Sequence, residues 1–353
     1  MNGNIPLQDI RSLNEEQLSE WVVALNEKKF RVKQIFEHLW KHNTASFDEM
    51  NNLPLSLRDA LKKDFSFHKL SIIDKQTSKD GSLKYAFQLS DNQIIETVLI
   101  PSNRRSTVCV SSQVGCGLAC QFCATAHLGY KRNLQAYEMF EQIFIANEES
   151  KLLFGYPITN IVWMGMGEPL LNYEHVVACI HYVSSPKGLG MSKSRITLST
   201  SGITEGIRRL ADDDIKIHLA LSLHSAHNEQ RSTLMPINKT KPLSEVANAL
   251  MYYHQKTKLR ISIEYLLLES VNDSLEHARM LARFCKQFPV KINLIEYNTH
   301  PYSNFKPSNT KQTIAFMDYL KSKNLIVTLR QSKGKDIAAA CGQLANQTGM
   351  DSK

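Results

Sequence analysis

From residue 106 onward, apolar runs alternate with segments of helical periodicity, and this alternation limits the fold more than any other feature of the chain. The runs are "STVCVSS", "ITNIVWMGMGEP", "RITLSTSG", "IKIHLALSLH", "LRISIEYLLLE", "VKINLIEYN" and "LIVTLRQS", with helices expected over about 136–149, 174–184, 204–212, 243–256, 274–287 and 310–323. Near-continuous apolar strands separated by helices predict an α/β fold: a parallel sheet covered by helices, either open or closed into a barrel. Several runs end in polar or glycine-rich residues: Gly165, Gly167 and Glu168; Ser199, Thr200 and Ser201; Ser222 and His224; Asn298. In β/α barrels the C-terminal ends of the strands carry the active site, so these clusters are expected to converge on one mouth.

Upstream, residues 12–65 read as a small helical unit. Ser12 and Glu15 have capping-box spacing, and Leu18, Trp21, Val22 and Leu25 follow a helical stripe. A second stripe carries Val32, Ile35, Phe36, Leu39 and Trp40, and a third helix is expected after Pro54. "SLKYAFQLSDNQIIETVLIP" then predicts a β-hairpin whose second strand puts Ile94, Glu96, Val98 and Ile100 on one face. Glu96 is thus a carboxylate among apolar neighbours, read either as a strand residue that reaches solvent or as an acid or base. The N-terminus has no apolar core of signal-peptide length and no stretch is long enough to span a membrane, so a soluble, cytoplasmic protein is expected. The net charge is +8. Short basic groups recur at Lys28, Lys29, Arg31 and Lys33; Arg104 and Arg105; Lys131 and Arg132; Lys187, Lys193 and Arg195; Lys333 and Lys335. They would form either a surface for a polyanion or an ordinary solvated one.

The chain has seven cysteines, and three of them, Cys116, Cys120 and Cys123, crowd into "CGLACQFC". Such usage does not make a secreted disulfide framework. The spacing would also fit a core stripe on a helix, but Gly115 and Gly117 disfavour a regular helix and suit a tight loop. A structural zinc site needs four ligands, and only His127 is near enough in sequence to offer a fourth. The third reading is an iron–sulfur cluster held by three thiolates with one iron left open. Cys179 and Cys285 fall within helices and read as core.

Cys-x-x-x-Cys-x-aromatic-Cys, with Phe122 before Cys123, resembles the cluster loop of the radical S-adenosylmethionine enzymes. "VCVSSQVGCGLACQFCATAHLGYKRNL", "MGMGEPLLN", "LSTSGI", "LSLHS", "LMPINK", "VND" and "DIAAACGQLA" occur in an order that resembles the adenine-C2 methyltransferases of 23S rRNA and tRNA. "KKFRVKQIFEHLW" and "FDEM" extend the match into the N-terminal unit. A sister family that methylates C8 of the same rRNA adenine has Ala after the "MGMGE" glutamate and Ile inside "STxG"; here those positions are Pro169 and Ser201, which favours C2.

The resemblance implies a partial (β/α)6 barrel over residues 106–345, an N-terminal helical RNA-binding domain over 1–70, a hairpin extension carrying Glu96 over 71–105, and a tail over 346–353. It implies a [4Fe-4S] cluster on Cys116, Cys120 and Cys123, whose open iron chelates S-adenosyl-L-methionine. Further contacts to that cofactor are implied at Gly167, Glu168, Ser199, Ser222, Leu223, His224 and Asn298. In the family, one S-adenosylmethionine methylates a C-terminal cysteine, matched by Cys341. A second yields a 5′-deoxyadenosyl radical that removes a hydrogen from that methyl group, and the carbon adds to C2 of adenine. A base, matched by Glu96, then takes the C2 proton, and a second cysteine, matched by Cys109, forms a transient disulfide with Cys341 and releases methylated RNA. Without the resemblance, Cys109 reads as a buried strand residue, Cys341 as part of a packed helix and His224 as structural. The implied partners are 23S rRNA, tRNA with its target adenine 3′ of the anticodon, and an electron donor such as a flavodoxin system; a monomer is expected. A C8 methyltransferase and a non-catalytic metal-containing RNA-binding protein are the alternatives.

Overall fold

The computed structural model describes residues 7–346. The sequence motif at the N-terminus misplaces the first helix cap. Helix α1 (Glu15–Ala24) is capped by Asn14, whose side chain accepts from the Gln17 amide while Gln17 reaches back, and Ser12 instead donates to the Asp9 carbonyl in the preceding turn. Asn14 is the short acceptor directly before the first helical residue, which is where an N-cap must sit. Helices α2 (Phe30–Trp40) and α3 (Leu55–Asp64) follow as expected, and all five apolar residues of the α2 stripe are buried.

Strands β1 (Ser71–Thr77), β2 (Leu83–Gln88) and β3 (Ile94–Ser102) form an antiparallel group in which β2 and β3 are the expected hairpin. Strand β4 (Arg105–Cys109) pairs antiparallel with β3 and begins the parallel series. A short two-stranded unit, β5 (Gln113–Gly115) with β6 (Tyr130–Asn133), encloses the cysteine loop. Then come α4 (Ala136–Phe154), β7 (Asn160–Trp163), α5 (Tyr173–Ser184), β8 (Ile196–Thr200), α6 (Thr204–Asp212), β9 (His218–Ser222), α7 (Asn228–Leu234), α8 (Leu243–Thr257), β10 (Ile261–Leu267), α9 (Leu275–Cys285), β11 (Val290–Glu296), α10 (Thr310–Ser322) and β12 (Val327–Arg330).

The sheet order is β1-β2-β3-β4-β7-β8-β9-β10-β11-β12, parallel from β4 to β12. Six β/α units and a closing strand make a partial barrel: β4 and β12 do not pair, yet residues from both line one cavity, so the sheet curls around it. Cys179 and Cys285 are buried in the core that this sheet shares with its helices.

The helical unit is tied to the barrel by charge and by stacking. Arg11, fully buried, pairs with Asp9 at 2.7 Å and with Glu141 of α4 at 3.1 Å, and the Trp40 ring stacks on Tyr182 of α5 at 3.7 Å. Several basic residues are neutralised within the fold. Arg132 bridges Asp91 and Glu138, Lys187 meets Glu15, and Lys335 meets Glu296, so the free basic surface is smaller than the sequence suggests. Among the described residues no helix is long and apolar enough to cross a membrane.

Past β12, a segment over residues 334–346 straps across the barrel mouth. The packed helix expected around Cys341 does not form: after a short turn over Lys335–Ile337, Ala338 and Gly342 take positive φ values of 49° and 83° that end helical continuation. The strap is pinned instead by the Gly334 amide on Asp80 (2.9 Å), Thr125 Oγ1 on the Leu344 carbonyl (2.6 Å) and the Ala124 amide on the Gly342 carbonyl (2.7 Å). Of the expected tail, residues 347–353 lie outside the described residues.

Candidate active site

The strand ends do converge. A cavity of about 390 Å³ at the barrel mouth is lined by Cys116, Cys120 and Cys123, by Cys109 and Cys341, and by Gly167, Glu168, Ser199, Ser222 and His224. Leu223, Asn298 and Glu96 stand outside its wall.

The cysteine loop is not helical, which removes the core-stripe reading of its spacing. Gly115 fixes its entry: φ is +71°, and a Cβ there would lie 1.7 Å from the Gly129 carbonyl oxygen. Gly117 has no such constraint. The loop is held to its surroundings by the Gln121 amide on Leu234 O at the end of α7, and by a contact of 3.0 Å between His300 Nε2 and Phe122 O. Burial pushes the Cys116 thiol up to about 11 and also raises Cys120 and Cys123. Holding all three as thiolates therefore calls for a cationic group in the cavity. Among the described residues, no three His, Cys, Asp or Glu side chains gather closely enough for a single metal ion. Three thiols on one loop fall one short of the four ligands a structural zinc ion needs and suit a cluster with one open iron. His127, the candidate fourth zinc ligand, is exposed and stacks on Tyr302.

The turn after β7 is shaped by its glycines. Gly167 has φ +98°, and a Cβ there would press on the Gln113 side chain at 2.6 Å. Glu168 follows, fully buried, with Oε2 accepting from the Ser201 amide (2.7 Å) and hydroxyl (2.8 Å), while burial raises its pKa. Ser199 and Ser222 meet through their hydroxyls at 3.1 Å. His224 takes a left-handed backbone (φ 55°) and accepts the Leu266 amide on Nδ1, which leaves Nε2 as the protonated nitrogen. Burial pushes its pKa down to about 3, so the ring is neutral, and Phe122 packs edge-on against it at 4.7 Å. Leu223 is buried, with its carbonyl taken by Arg231. Asn298 donates to Ser332, a cavity residue, and its buried Oδ1 has no hydrogen-bond partner among the described residues. That orphaned acceptor suits a bound polar cofactor.

Two site residues carry no signal in the sequence. Arg231, in α7, is fully buried and binds the carbonyls of Ser201 and Leu223 and the Asn238 side chain, which ties the ends of β8 and β9 together. Glu264, in β10, lines the cavity with Oε1 accepting from Asn293 and Oε2 in a 3.9 Å ion pair with Arg330. Arg231 lies within the polar run "NEQRST" and Glu264 within the strand run "ISIEYLL", so only the fold shows where they point.

Glu96 does not reach solvent. One face of β3 packs on α4, with Thr97 bonded to Gln142, and the face bearing Glu96 lies under the strap. Its Oε2 accepts the Ala345 and Asn346 amides at 2.8 and 3.0 Å, and Oε1 meets Lys84 Nζ at 3.2 Å, a pair that is itself buried. The carboxylate is thus clamped by the segment that carries Cys341. Cys341 is exposed, whereas Cys109 is buried and its thiol is pushed up to about 12 by burial and by Cys341, with Arg330 acting in the opposite direction.

Comparison with known proteins places this geometry. Residues 110–285 match the radical SAM superfamily, and residues 8–66 match the ribosomal RNA large subunit methyltransferase N-terminal domain. A probable dual-specificity RNA methyltransferase RlmN of Christiangramia forsetii is 48% identical over 97% of this chain and 97% of its own. A dual-specificity RNA methyltransferase RlmN of Syntrophobacter fumaroxidans is 40% identical over 96% of this chain and 98% of its own. The crystal structure of a radical SAM methyltransferase from Sphaerobacter thermophilus superposes with a TM-score of 0.89 at 37% identity, covering 96% of this chain and 99% of that one. Superfamily membership implies S-adenosylmethionine and a [4Fe-4S] cluster, which the thiol-lined cavity accommodates. The chain belongs to the RlmN family of dual-specificity RNA methyltransferases, within the radical SAM superfamily.

Proposed function

We propose that this protein methylates C2 of an adenine in 23S rRNA and of the adenine 3′ of the anticodon in tRNA, using two S-adenosylmethionine molecules per turnover. The observation that carries the reading is that Cys109, Cys341 and the three-cysteine loop, distant in sequence, line one cavity. Cys116, Cys120 and Cys123 would hold the cluster, and Gly167, Glu168, Ser199, Ser222, Leu223, His224 and Asn298 would hold S-adenosylmethionine. When bound, this pair supplies a transferable methyl group and a one-electron route to a carbon radical.

The chain's own residues do the rest. The Cys341 thiolate attacks the sulfonium methyl carbon, forming an S–C bond as the sulfonium S–C bond breaks. The exposed position of Cys341 on the strap brings that methyl group to a base entering the mouth. Once the Cys341 carbon has bonded to C2, Glu96 takes the C2 proton, and the odd electron of the adduct would return to the bound one-electron carrier. This requires the strap to release Glu96 from the Ala345 and Asn346 amides, so strap movement precedes proton transfer. Cys109 as thiolate then attacks the Cys341 sulfur: the S–S bond forms, the S–C bond breaks, and its electron pair goes to the one-carbon unit on adenine, which takes up a proton to become the methyl group.

The target adenine must leave its stack to reach the mouth. The helical unit over 1–70 and Arg104, Arg105 and Lys131, which have no ion pair among the described residues, would hold the flanking RNA, with the hairpin over 71–105 as a bridge to the barrel over 106–345. The enzyme is read as a cytoplasmic monomer served by a flavodoxin-type electron donor. Nucleoside mass spectrometry of treated RNA tests the reading: 2-methyladenosine is expected, and 8-methyladenosine alone would assign the chain to the C8 reaction.

A further inference from the structure

We propose that the rings of His127 and Tyr302, stacked on each other beside the cysteine loop, form a platform that receives the base next to the target adenine when RNA is bound. The proposal rests on the RNA-methylation reading above and adds a seat for the flanking nucleotide.

His127 belongs to the short turn Ala124–Leu128 that directly follows Cys123, and Thr125 of the same turn lines the cavity. Tyr302 belongs to the loop that leaves β11. The two rings meet at 5.1 Å with an interplanar angle of 24°, and His300 stands 6.1 Å from Tyr302 and 6.4 Å from His127. The loop is fixed at three points. His300 Nε2 contacts the Phe122 carbonyl oxygen at 3.0 Å, Gln343 of the strap donates to the Thr299 carbonyl at 2.9 Å, and Leu268 bridges to Pro307. The turn is fixed as well, by the Ala124 amide on the Gly342 carbonyl at 2.7 Å. Gly342 and Gln343 directly follow Cys341. Both halves of the platform are therefore tied to the segment that carries the cysteine proposed to hold the transferred carbon.

Packing alone does not account for the pair. Tyr302 is 44% exposed and His127 is exposed as well, whereas the aromatic rings that serve the core beside them, Phe122 and Tyr297, are buried. Extruding an adenine from its stack leaves the next base with an uncovered π face. Aromatic side chains held in a fixed orientation cover such faces in the recognition of unpaired RNA. Every base has a π face, so a stacking platform holds the neighbour without reading its identity. That tolerance suits a family of dual specificity, whose RNAs need not share the flanking base.

The test uses the full-length, cluster-reconstituted protein under anaerobic conditions, without S-adenosylmethionine so that no turnover occurs. The ligand is an anticodon stem-loop RNA with 2-aminopurine next to the target adenine, on its 5′ side in one probe and on its 3′ side in another. This base is dark when stacked and bright when unstacked. With wild-type protein at saturation, one of the two probes should stay dark. Tyr302→Ala should brighten that probe about twofold or more and weaken RNA binding about tenfold, the range expected for one lost base–aromatic stack. The salt dependence of binding should not change, because no phosphate contact is lost. Tyr302→Phe keeps the ring and should match wild type. Tyr302→Leu keeps an apolar side chain without a π face and should match Tyr302→Ala, which separates stacking from local packing. A wild-type response in Tyr302→Leu overturns the proposal, as do unchanged brightness and affinity in Tyr302→Ala, or two bright probes with the wild-type protein. Failure of the wild-type protein to bind the stem-loop at all would count against the proposed function instead, so the two failures are distinct.

Discussion

The clamp on Glu96 makes the strap a gate whose strength can be worked from the structure. The carboxylate accepts two backbone amides, one buried and one half-buried, at 2.8 and 3.0 Å. Hydrogen bonds to a charged acceptor contribute about 1.5–3 kcal/mol each, so removing this acceptor should weaken closure of the strap by about 3 kcal/mol or more. That is about a hundredfold in the local opening equilibrium. Replacing Glu96 alone would strand the buried Lys84 ammonium at a cost of about 3–5 kcal/mol and confuse local with global loss. The informative variant is therefore Glu96→Leu with Lys84→Met, which removes both charges and keeps the volume. Hydrogen exchange read by mass spectrometry should show the amides of Ala345 and Asn346 exchanging about a hundredfold faster, with the β8 and β9 amides unchanged. Wild-type exchange at those two amides would refute the gate. It would also remove the requirement that strap movement precedes proton transfer.

Other consequences follow from single residues. His224 is buried with a pKa of about 3, well below its value in an unfolded chain. Its contribution to stability is fully present above about pH 6.5 and is lost as pH falls towards 3, because only the unfolded chain takes up the proton in that window. Denaturant titrations should therefore show wild-type losing about 1.4 kcal/mol per pH unit more than His224→Gln below pH 6.5, and equal slopes would contradict the assignment. Gly115→Ala forces a Cβ to within 1.7 Å of the Gly129 carbonyl oxygen. The reconstituted variant should lose most of its iron and acid-labile sulfide, and a full complement would show that the loop tolerates the change.

How much of this was legible in the sequence depended on the kind of signal each residue carries. The β/α alternation marks the helices of the barrel to within a few residues because burial on both strand faces and on one helix face writes period directly into composition. The glycines at 115, 165 and 167 were visible as motif letters, yet the reason for Gly115, its approach to Gly129, appears only once β5 and β6 pair. Glu96 shows the limit of strand periodicity. The pattern placed it on an apolar face, but whether that face met solvent or protein depended on a strap some 250 residues away in the chain. Without the resemblance the strap reads as a helix because alanines favour helix intrinsically, whereas the left-handed residues at 338 and 342 and the pins on Asp80 and Thr125 decide against it. Arg231 and Glu264 had no motif to mark them, since a buried ion's role is set by what surrounds it in space.

The central claim is that Cys341 carries the carbon that becomes the methyl group and that Cys109 frees it. Cys109→Ala removes the attacking sulfur and leaves the rest of the cavity in place, so the reaction should halt after the carbon has bonded to adenine. Purification of this variant from cells, followed by nuclease digestion and mass spectrometry, should find the Cys341 peptide bearing a nucleotide through a one-carbon bridge. A Cys109→Ala protein that releases methylated RNA at the wild-type rate, with no nucleotide on Cys341, would contradict the account.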